Sequence, residues 1–235
     1  MRSGITEKMS NRIENEADLK AMLRHLLRAD PRLNALVAVA GPPPLRRRAG
    51  GFAGLASIIV GQQLSTASAA AIWGRLSSAF EPFHHADIRR ARREKLQRIG
   101  LSAPKIRTMK AVSKAIGDGD IDLEALASMP ADDAHNALTA LHGIGPWTAD
   151  LYLLFCLGHA DAWPAGDLAL QEAMRLAFAL PSRPSVKEME KLAEPWRPWR
   201  GVAAKLLWAY YRAVKGREGV PIKPAKSGRT DGRST

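Results

Sequence analysis

The stretch Leu141-His142-Gly143-Ile144-Gly145-Pro146-Trp147-Thr148-Ala149 lies between two segments whose apolar residues have helical spacing. Gly143 and Gly145 lack a Cβ, so the chain can turn tightly there and a second backbone can come close. Pro146 fits the first turn of the following helix, where its missing N–H costs nothing. The free amides at the start of that helix form a site for an anion, such as a phosphate of DNA. The spacing alone fits a glycine-rich link between two packed helices slightly better.

The segments around this stretch predict an all-α protein. Apolar residues recur at intervals of three and four in most of the chain, as in 19–27 and 202–210, and few runs alternate apolar with polar residues. We therefore expect about ten helices. The longest apolar stretch, 151–157, is too short to span a bilayer.

The charge balance predicts a polyanionic partner. The 235 residues include 35 Lys and Arg against 23 Asp and Glu, which gives a formal net charge of +12. Basic residues concentrate at 46–48, at 89–98 and in the C-terminal tail. Each cluster alone also fits a solvated surface, but together they favour contacts with phosphates.

Composition excludes several classes of protein. Cys156 is the only cysteine, so the chain holds no internal disulfide, zinc ribbon or four-cysteine iron–sulfur cluster. The six histidines show no helical metal pair, and we expect neither a metal nor a cofactor. Residues 1–19 lack the apolar core of a signal peptide. These features predict a protein of the cytoplasm that is not bound to a membrane. Separately, we expect a monomer associated with a bacterial nucleoid.

The chain is expected to form one folded domain. Residues 1–17 are predicted to be a flexible N-terminus, 18–215 a domain of two helical lobes around one cleft, and 216–235 a flexible basic tail. No internal repeat or sharp change of composition separates the two lobes, so we expect them to share a core.

Four motifs, in order along the chain, resemble those of the helix-hairpin-helix DNA glycosylases with a Gly/Pro-rich loop and a catalytic aspartate. They are the Gln-Gln segment 61–65, the hairpin 141–149, the loop 163–167 that ends at Asp167 and the Trp-x-Pro-Trp-Arg segment 196–200. Together they resemble the DNA-3-methyladenine glycosylase II group, over residues 30–213. This resemblance implies an all-α, two-lobed glycosylase fold that binds DNA across its cleft, without the N-terminal β-domain of some relatives.

The resemblance also implies a reaction. It predicts a monofunctional glycosylase that flips 3-methyladenine and similar alkylated purines out of duplex DNA, hydrolyses the N-glycosidic bond and leaves an abasic site. Asp167 is implied as the catalytic residue, because its carboxylate would stabilise a cationic sugar. The start of a helical pattern after Asp167 also predicts a helix N-cap. Trp147 stands where relatives that cleave the backbone carry a Schiff-base lysine, so no lyase activity is expected.

Further site residues follow from the same resemblance. The residues implied to contact DNA are Gly143, Ile144, Gly145, Thr148, Gln62, Gln63 and Lys105. The base pocket is implied to contain Trp147, Trp208 and Leu151, the last at a position where some relatives carry an aromatic residue. A monovalent cation held by hairpin carbonyls is the one ion that the resemblance allows.

The residues themselves leave alternatives open. Gln62 also fits a helix-end cap, Lys105 an ordinary surface charge, and Trp208 a core residue beside Leu207 and Tyr210. The function has alternatives too: a helix-hairpin-helix protein that binds DNA without catalysis, or a glycosylase for uracil, hypoxanthine or oxidised purines. Asp167 separates catalysis from binding alone, because binding does not need that carboxylate.

Overall fold

The structure, a computed structural model, describes residues 11–218. Within this range the chain forms twelve α-helices and no β-strand, which confirms the all-α prediction. The helices are α1 (Glu16–Ala29), α2 (Asn34–Ala40), α3 (Gly51–Gly61), α4 (Thr66–Ala79), α5 (His85–Arg90), α6 (Arg93–Ile99), α7 (Ala103–Asp118), α8 (Ala131–Thr139), α9 (Pro146–Leu151), α10 (Leu168–Ala177), α11 (Val186–Ala193) and α12 (Arg200–Glu218). A π-helical segment, Tyr152–Leu157, continues α9.

The helices pack in two groups that form the predicted lobes. In the terminal lobe, α1, α2 and α10 pack against α12. In the middle lobe, α3 packs against α4 and α7, α7 against α5 and α6, and α8 against α9. Buried apolar side chains of both lobes belong to one continuous core, so neither lobe is an independent domain.

The first helix shows how local sequence sets the boundaries. Asn15 caps α1 in a reciprocal capping box with Asp18, so Asp18 lies one turn inside the helix. The helix buries Leu19, Met22, Leu23 and Leu26 along one stripe. It ends at Ala29, with Asp30 as its C-cap immediately before Pro31.

Both chain ends pack further than the predicted boundaries. Ile13 is fully buried, and its backbone N–H donates to the Gly158 carbonyl at 2.7 Å, so packing begins before residue 18. At the other end, α12 continues to Glu218, past the predicted start of the tail. Residues 1–10 and 219–235 lie outside the described residues, and with them most of both predicted flexible ends. No helix between residues 11 and 218 combines the length and apolarity needed to cross a bilayer.

A buried carboxylate joins the end of α1 to the segment before α12. Asp30 accepts hydrogen bonds from Arg32 Nε at 2.8 Å and Nη2 at 2.7 Å, and from Trp196 Nε1 at 2.9 Å. The hydrogen bonds from Arg32 are the main reason why the pKa of Asp30 falls to about 2. The ionised carboxylate is thus part of what holds the terminal lobe together.

We expect Asp30→Asn to lower the free energy of unfolding at pH 7 by about 1–2 kcal/mol, because the amide loses the charge-assisted bonds to Arg32. The folded-state pKa lies below the ordinary aspartate value of 3.8, so this stabilisation is complete above that value and disappears as the pH falls towards 2. Urea unfolding of wild type and variant at neutral and acidic pH measures the difference. Asp120→Asn, at an exposed carboxylate, is the control, and a difference that does not shrink in acid contradicts the role of Asp30.

Candidate functional site

Asp167 lies between the Gly/Pro-rich loop and α10. Its Oδ1 accepts the backbone N–H of Leu170 at 2.8 Å, which confirms the predicted N-cap. Its own N–H donates to the Pro164 carbonyl at 2.9 Å, so the preceding loop is folded back on itself. The backbone on both sides therefore fixes where this half-buried carboxylate lies.

Two indole groups converge on the same carboxylate. Trp147 Nε1 on α9 donates to Oδ2 of Asp167 at 2.8 Å, and Trp208 Nε1 on α12 donates to Oδ1 at 3.1 Å. Trp147 comes from the middle lobe and Trp208 from the terminal lobe. The orientation of the Asp167 carboxylate is therefore set by both lobes together.

A pocket of about 570 Å³ opens beside Trp147, between α3, α4 and α9. The described residues that line it include two of the predicted base-pocket residues, Trp147 and Leu151, together with Trp73 and Arg48. The third, Trp208, instead bonds to Asp167 and stacks on Phe155, with 5.6 Å between ring centres. Trp208 thus contacts the core and the carboxylate at once, which agrees with its interpretation as a core residue, and its place in the base pocket stays a prediction.

The hairpin between α8 and α9 has the predicted tight turn. Gly143 has φ +80°, and a Cβ there would collide with the Thr108 side chain on α7. A Cβ at Gly145 would meet open space. The side chains of Ile144 and Thr148 are buried, so these two residues have only their backbone to offer a ligand. The hairpin is therefore anchored on α7 at its first glycine and open at its second.

The two glutamines after α3 differ in their surroundings. Gln62 is the C-cap residue of α3, as the alternative interpretation has it, and its Nε2 donates to Thr148 Oγ1 at 2.9 Å. This bond ties α3 to α9. Gln63 is exposed and has φ +56°, a left-handed conformation that costs a residue with a Cβ about 1 kcal/mol or more. The loop thus holds one amide inward and the other outward.

Lys105 is not an ordinary surface charge. Its Nζ donates to the Val60 carbonyl in the last turn of α3 at 2.7 Å, and burial lowers the pKa of this amine. The bond ties α7 to α3. A phosphate contact by Lys105 stays a prediction, and it requires the amine to share or release this carbonyl.

The Trp-x-Pro-Trp-Arg segment binds the chain just before the loop that leads to Asp167. Arg200 binds Asp161 through two hydrogen bonds, Nε to Oδ1 at 2.9 Å and Nη2 to Oδ2 at 2.8 Å, and Arg197 Nη1 reaches Oδ2 at 2.7 Å. Asp161 precedes the loop that leads to Asp167. These contacts hold the start of α12 against that loop, a role that the motif alone did not reveal.

Sequence reasoning missed two further polar contacts near the site. His135 Nδ1 on α8 lies 2.9 Å from Asp150 Oδ1 on α9, so the two helices of the hairpin are joined by a side-chain pair. Burial raises the pKa of Asp150, and the hydrogen bond that His135 donates to Asp150 raises the pKa of His135. On α12, Lys205 Nζ donates to the Leu45 carbonyl at 2.7 Å, and burial lowers its pKa to about 7. No local pattern connects residues so far apart in the chain.

The residues 11–218 contain no group of three or more His, Cys, Asp or Glu side chains placed to hold a metal ion. A cation held by hairpin carbonyls depends on backbone atoms and stays a prediction.

Comparisons with known proteins agree on one family. The family described as "HhH-GPD superfamily base excision DNA repair protein" matches residues 56–198. The alkylbase DNA glycosidase-like protein mag2 of Schizosaccharomyces pombe is 27% identical over 203 residues, which is 83% of this chain and 95% of that protein. A probable bifunctional transcriptional activator/DNA repair enzyme AlkA of Mycobacterium tuberculosis is 32% identical over 206 residues, 83% of this chain but only 40% of that longer protein.

A solved structure resembles most of the fold. The 3-methyladenine DNA glycosylase Mag1 of Schizosaccharomyces pombe, in complex with abasic DNA, superposes with a TM-score of 0.72 at 31% identity. The match covers 80% of this chain and 95% of that one. The likeness therefore extends over both lobes.

We expect Gly143→Ala to lower the free energy of unfolding by about 2–4 kcal/mol, because it adds a Cβ at a positive φ and against Thr108. Gly145→Ala, two residues away and open to solvent, is the matched control and should change stability by less than about 1 kcal/mol. Urea unfolding of the two variants measures the difference. Equal losses of unfolding free energy in the two variants would show that Gly143 is not held against Thr108.

Proposed function

The chain belongs to the HhH-GPD superfamily of base excision DNA repair proteins, and from this premise we propose that it is a DNA glycosylase for alkylated purines. It hydrolyses the N-glycosidic bond of 3-methyladenine and similar bases in duplex DNA and leaves an abasic site. The names of its relatives support this activity. The observation that carries it is the convergence of Trp147 and Trp208 on the Asp167 carboxylate.

Asp167 stabilises the sugar while the base departs. When the glycosidic bond breaks, the bonding electrons leave with the base and the sugar becomes an oxocarbenium-like cation. A carboxylate already fixed by three N–H donors does not have to reorient as this charge develops. Water then adds to C1′ of the sugar. Both indoles are positioning residues in this scheme, since they act on the carboxylate.

The hairpin and the loop after α3 are the proposed DNA interface. Gly143 and Gly145 are exposed at the turn, where the backbone of DNA can approach closely. Gln63, held outward by its loop, fills the space that the flipped nucleotide leaves. Gln62, bonded to Thr148, keeps this loop in register with the hairpin.

The pocket beside Trp147 receives the flipped base. Its volume of about 570 Å³ accommodates a purine, and the electron-rich indoles of Trp147 and Trp73 suit a base that carries positive charge. Leu151 makes the pocket less aromatic on one side. Damaged duplex DNA is thus the partner in this proposal, and a monomer is sufficient because one chain supplies every group named. We also propose that the protein acts at the nucleoid, in the cytoplasm of a bacterium.

We expect Asp167→Asn to reduce the rate of base release at least about a hundredfold, because the sugar cation loses its counter-charge. The amide also presents an N–H to one of the indoles, so Trp208→Phe, which removes an indole donor to the carboxylate outside the pocket lining and keeps an aromatic ring beside Phe155, is the control. Single-turnover release of 3-methyladenine from a duplex measures the rates, and a binding titration shows whether DNA affinity is retained. Unchanged release by Asp167→Asn contradicts the catalytic role.

The reaction should stop at the abasic site, because no lysine is among the described residues that line the pocket and Trp147 has no amine. We therefore expect strand breaks in an alkylated duplex only after alkali. A gel of the product before and after alkali treatment measures this. Breaks without alkali, or a covalent complex trapped by borohydride, would identify a lyase.

A further inference from the structure

Lys205 is a buried amine of the terminal lobe, three residues before Trp208 on α12. Its Nζ donates to the Leu45 carbonyl at 2.7 Å and lies 4.5 Å from the centre of the Phe155 ring. Phe155 stacks on Trp208, and the Trp208 indole donates to the Asp167 carboxylate. Two aromatic rings therefore connect this amine to Asp167.

The charged groups beside Lys205 are cations. Arg46 and Arg47 lie close enough to disfavour the charged form of the amine by repulsion. The Arg48 guanidinium lies over the same Phe155 ring, 5.7 Å from its centre. Arg46 also repels Arg212, which lies two turns after Lys205 on α12. We call these five side chains the Lys205 cluster.

No carboxylate balances the Lys205 cluster. Within residues 11–218 no ion pair joins an acidic side chain to any of its five members. Glu14 attracts Arg47 but is itself paired with Arg12 at 3.5 Å. The neighbouring Cys156 thiol is neutral near pH 7, because burial raises its pKa to about 11. The cluster is therefore a concentration of positive charge whose counter-charge an external anion can supply.

The amine of Lys205 is the member of the cluster that can change its charge near neutral pH. Burial, with repulsion by Arg47 and Arg46, lowers its pKa to about 7. The carboxylates on the helical segments packed against α12 are Glu16, Asp18, Glu172 and Glu194. None of these four is among the described groups that act on the amine, and α2 has no titratable side chain. An anion that approaches the cluster would therefore favour the ammonium form.

Arg46 is an exposed member of the cluster, and it lies near the pocket. Its backbone has φ +45°, in the left-handed region. Ala49, three residues further on, lines the pocket beside Trp147 and is also exposed. A DNA strand whose flipped nucleotide enters this pocket brings its neighbouring phosphates to the segment 46–49. A phosphate is the anion that an exposed guanidinium binds most readily.

We propose that Arg46 binds a backbone phosphate of the strand that enters the pocket, and that Lys205 takes up a proton when this phosphate binds. The inference rests on the proposed function, because duplex DNA is the ligand. The proton comes from the buffer acid and adds to the lone pair of Nζ, and the conjugate base of the buffer stays in solution. The phosphate supplies the negative charge that the cluster lacks, so it stabilises the ammonium form.

Titration calorimetry of the full chain with a duplex that carries a stable abasic site measures the proton uptake, from the binding heats in buffers of different ionisation enthalpy. At pH 7.5 we expect the wild type to take up about half a proton or more per complex. Binding that takes up a proton weakens as the pH rises, so the affinity should fall about tenfold between pH 6.5 and pH 9.

Lys205→Met keeps an unbranched side chain in the core but removes the amine, and it should lose most of this uptake. Lys187→Met makes the same change at an exposed site on α11 and is the matched control, with the uptake of the wild type. Arg46→Gln, at an exposed position, should lower both the affinity and the uptake. Urea unfolding shows which variants keep the fold, and Arg46→Gln decides the matter if Lys205→Met does not.

Three results would overturn the inference: binding by the wild type without uptake, equal uptake by the wild type and a folded Lys205→Met, or full uptake by Arg46→Gln. Each of them leaves the proposed function in place if the wild type still releases 3-methyladenine from an alkylated duplex. Uptake that depends on Lys205, in a protein that releases no base, would support the phosphate site and remove the proposed function instead.

Discussion

The hydrogen bonds from two indoles to one carboxylate constrain the whole molecule. Asp167 begins α10, Trp147 lies on α9 and Trp208 on α12, so three helices must keep their relative positions for both bonds to form. Because the donors come from different lobes, a small movement of one lobe against the other would break one of them. The lobes are instead packed on a common core, and that rigidity gives the carboxylate its fixed orientation.

The polar contacts around Asp167 stabilise the same arrangement of helices. Gln62 holds α9 to α3, Arg200 holds α12 to the loop before Asp167, and Trp196 joins the same region to Asp30 at the end of α1. Each contact spans a long stretch of sequence, and each ends on an element that carries part of the site. Buried polar groups that are fully paired specify one arrangement of helices more sharply than apolar packing alone.

Local patterns in the sequence predicted the parts of this arrangement that depend on neighbouring residues. The hairpin turn and the N-cap at Asp167 follow from residue types within a few positions of one another. The bonds of Gln62 and Lys105 could not be predicted in this way, because their partners, Thr148 and Val60, are 86 and 45 positions away. Trp208 shows the limit for a single residue: its apolar stripe indicates the core correctly, but a stripe does not tell where the indole N–H points.

The distribution of charge adds a last constraint on the site. A net charge of +12 serves attraction to DNA over the whole surface, and such attraction does not distinguish one base from another. Discrimination needs groups that contact the base itself. Among the residues that line the pocket, the aromatic side chains Trp73 and Trp147 suit a cationic purine. With Leu151 in place of a further aromatic ring, stacking on that side is weaker. Under the proposed function, the balance between aromatic and aliphatic side chains in the lining sets which purines this chain releases.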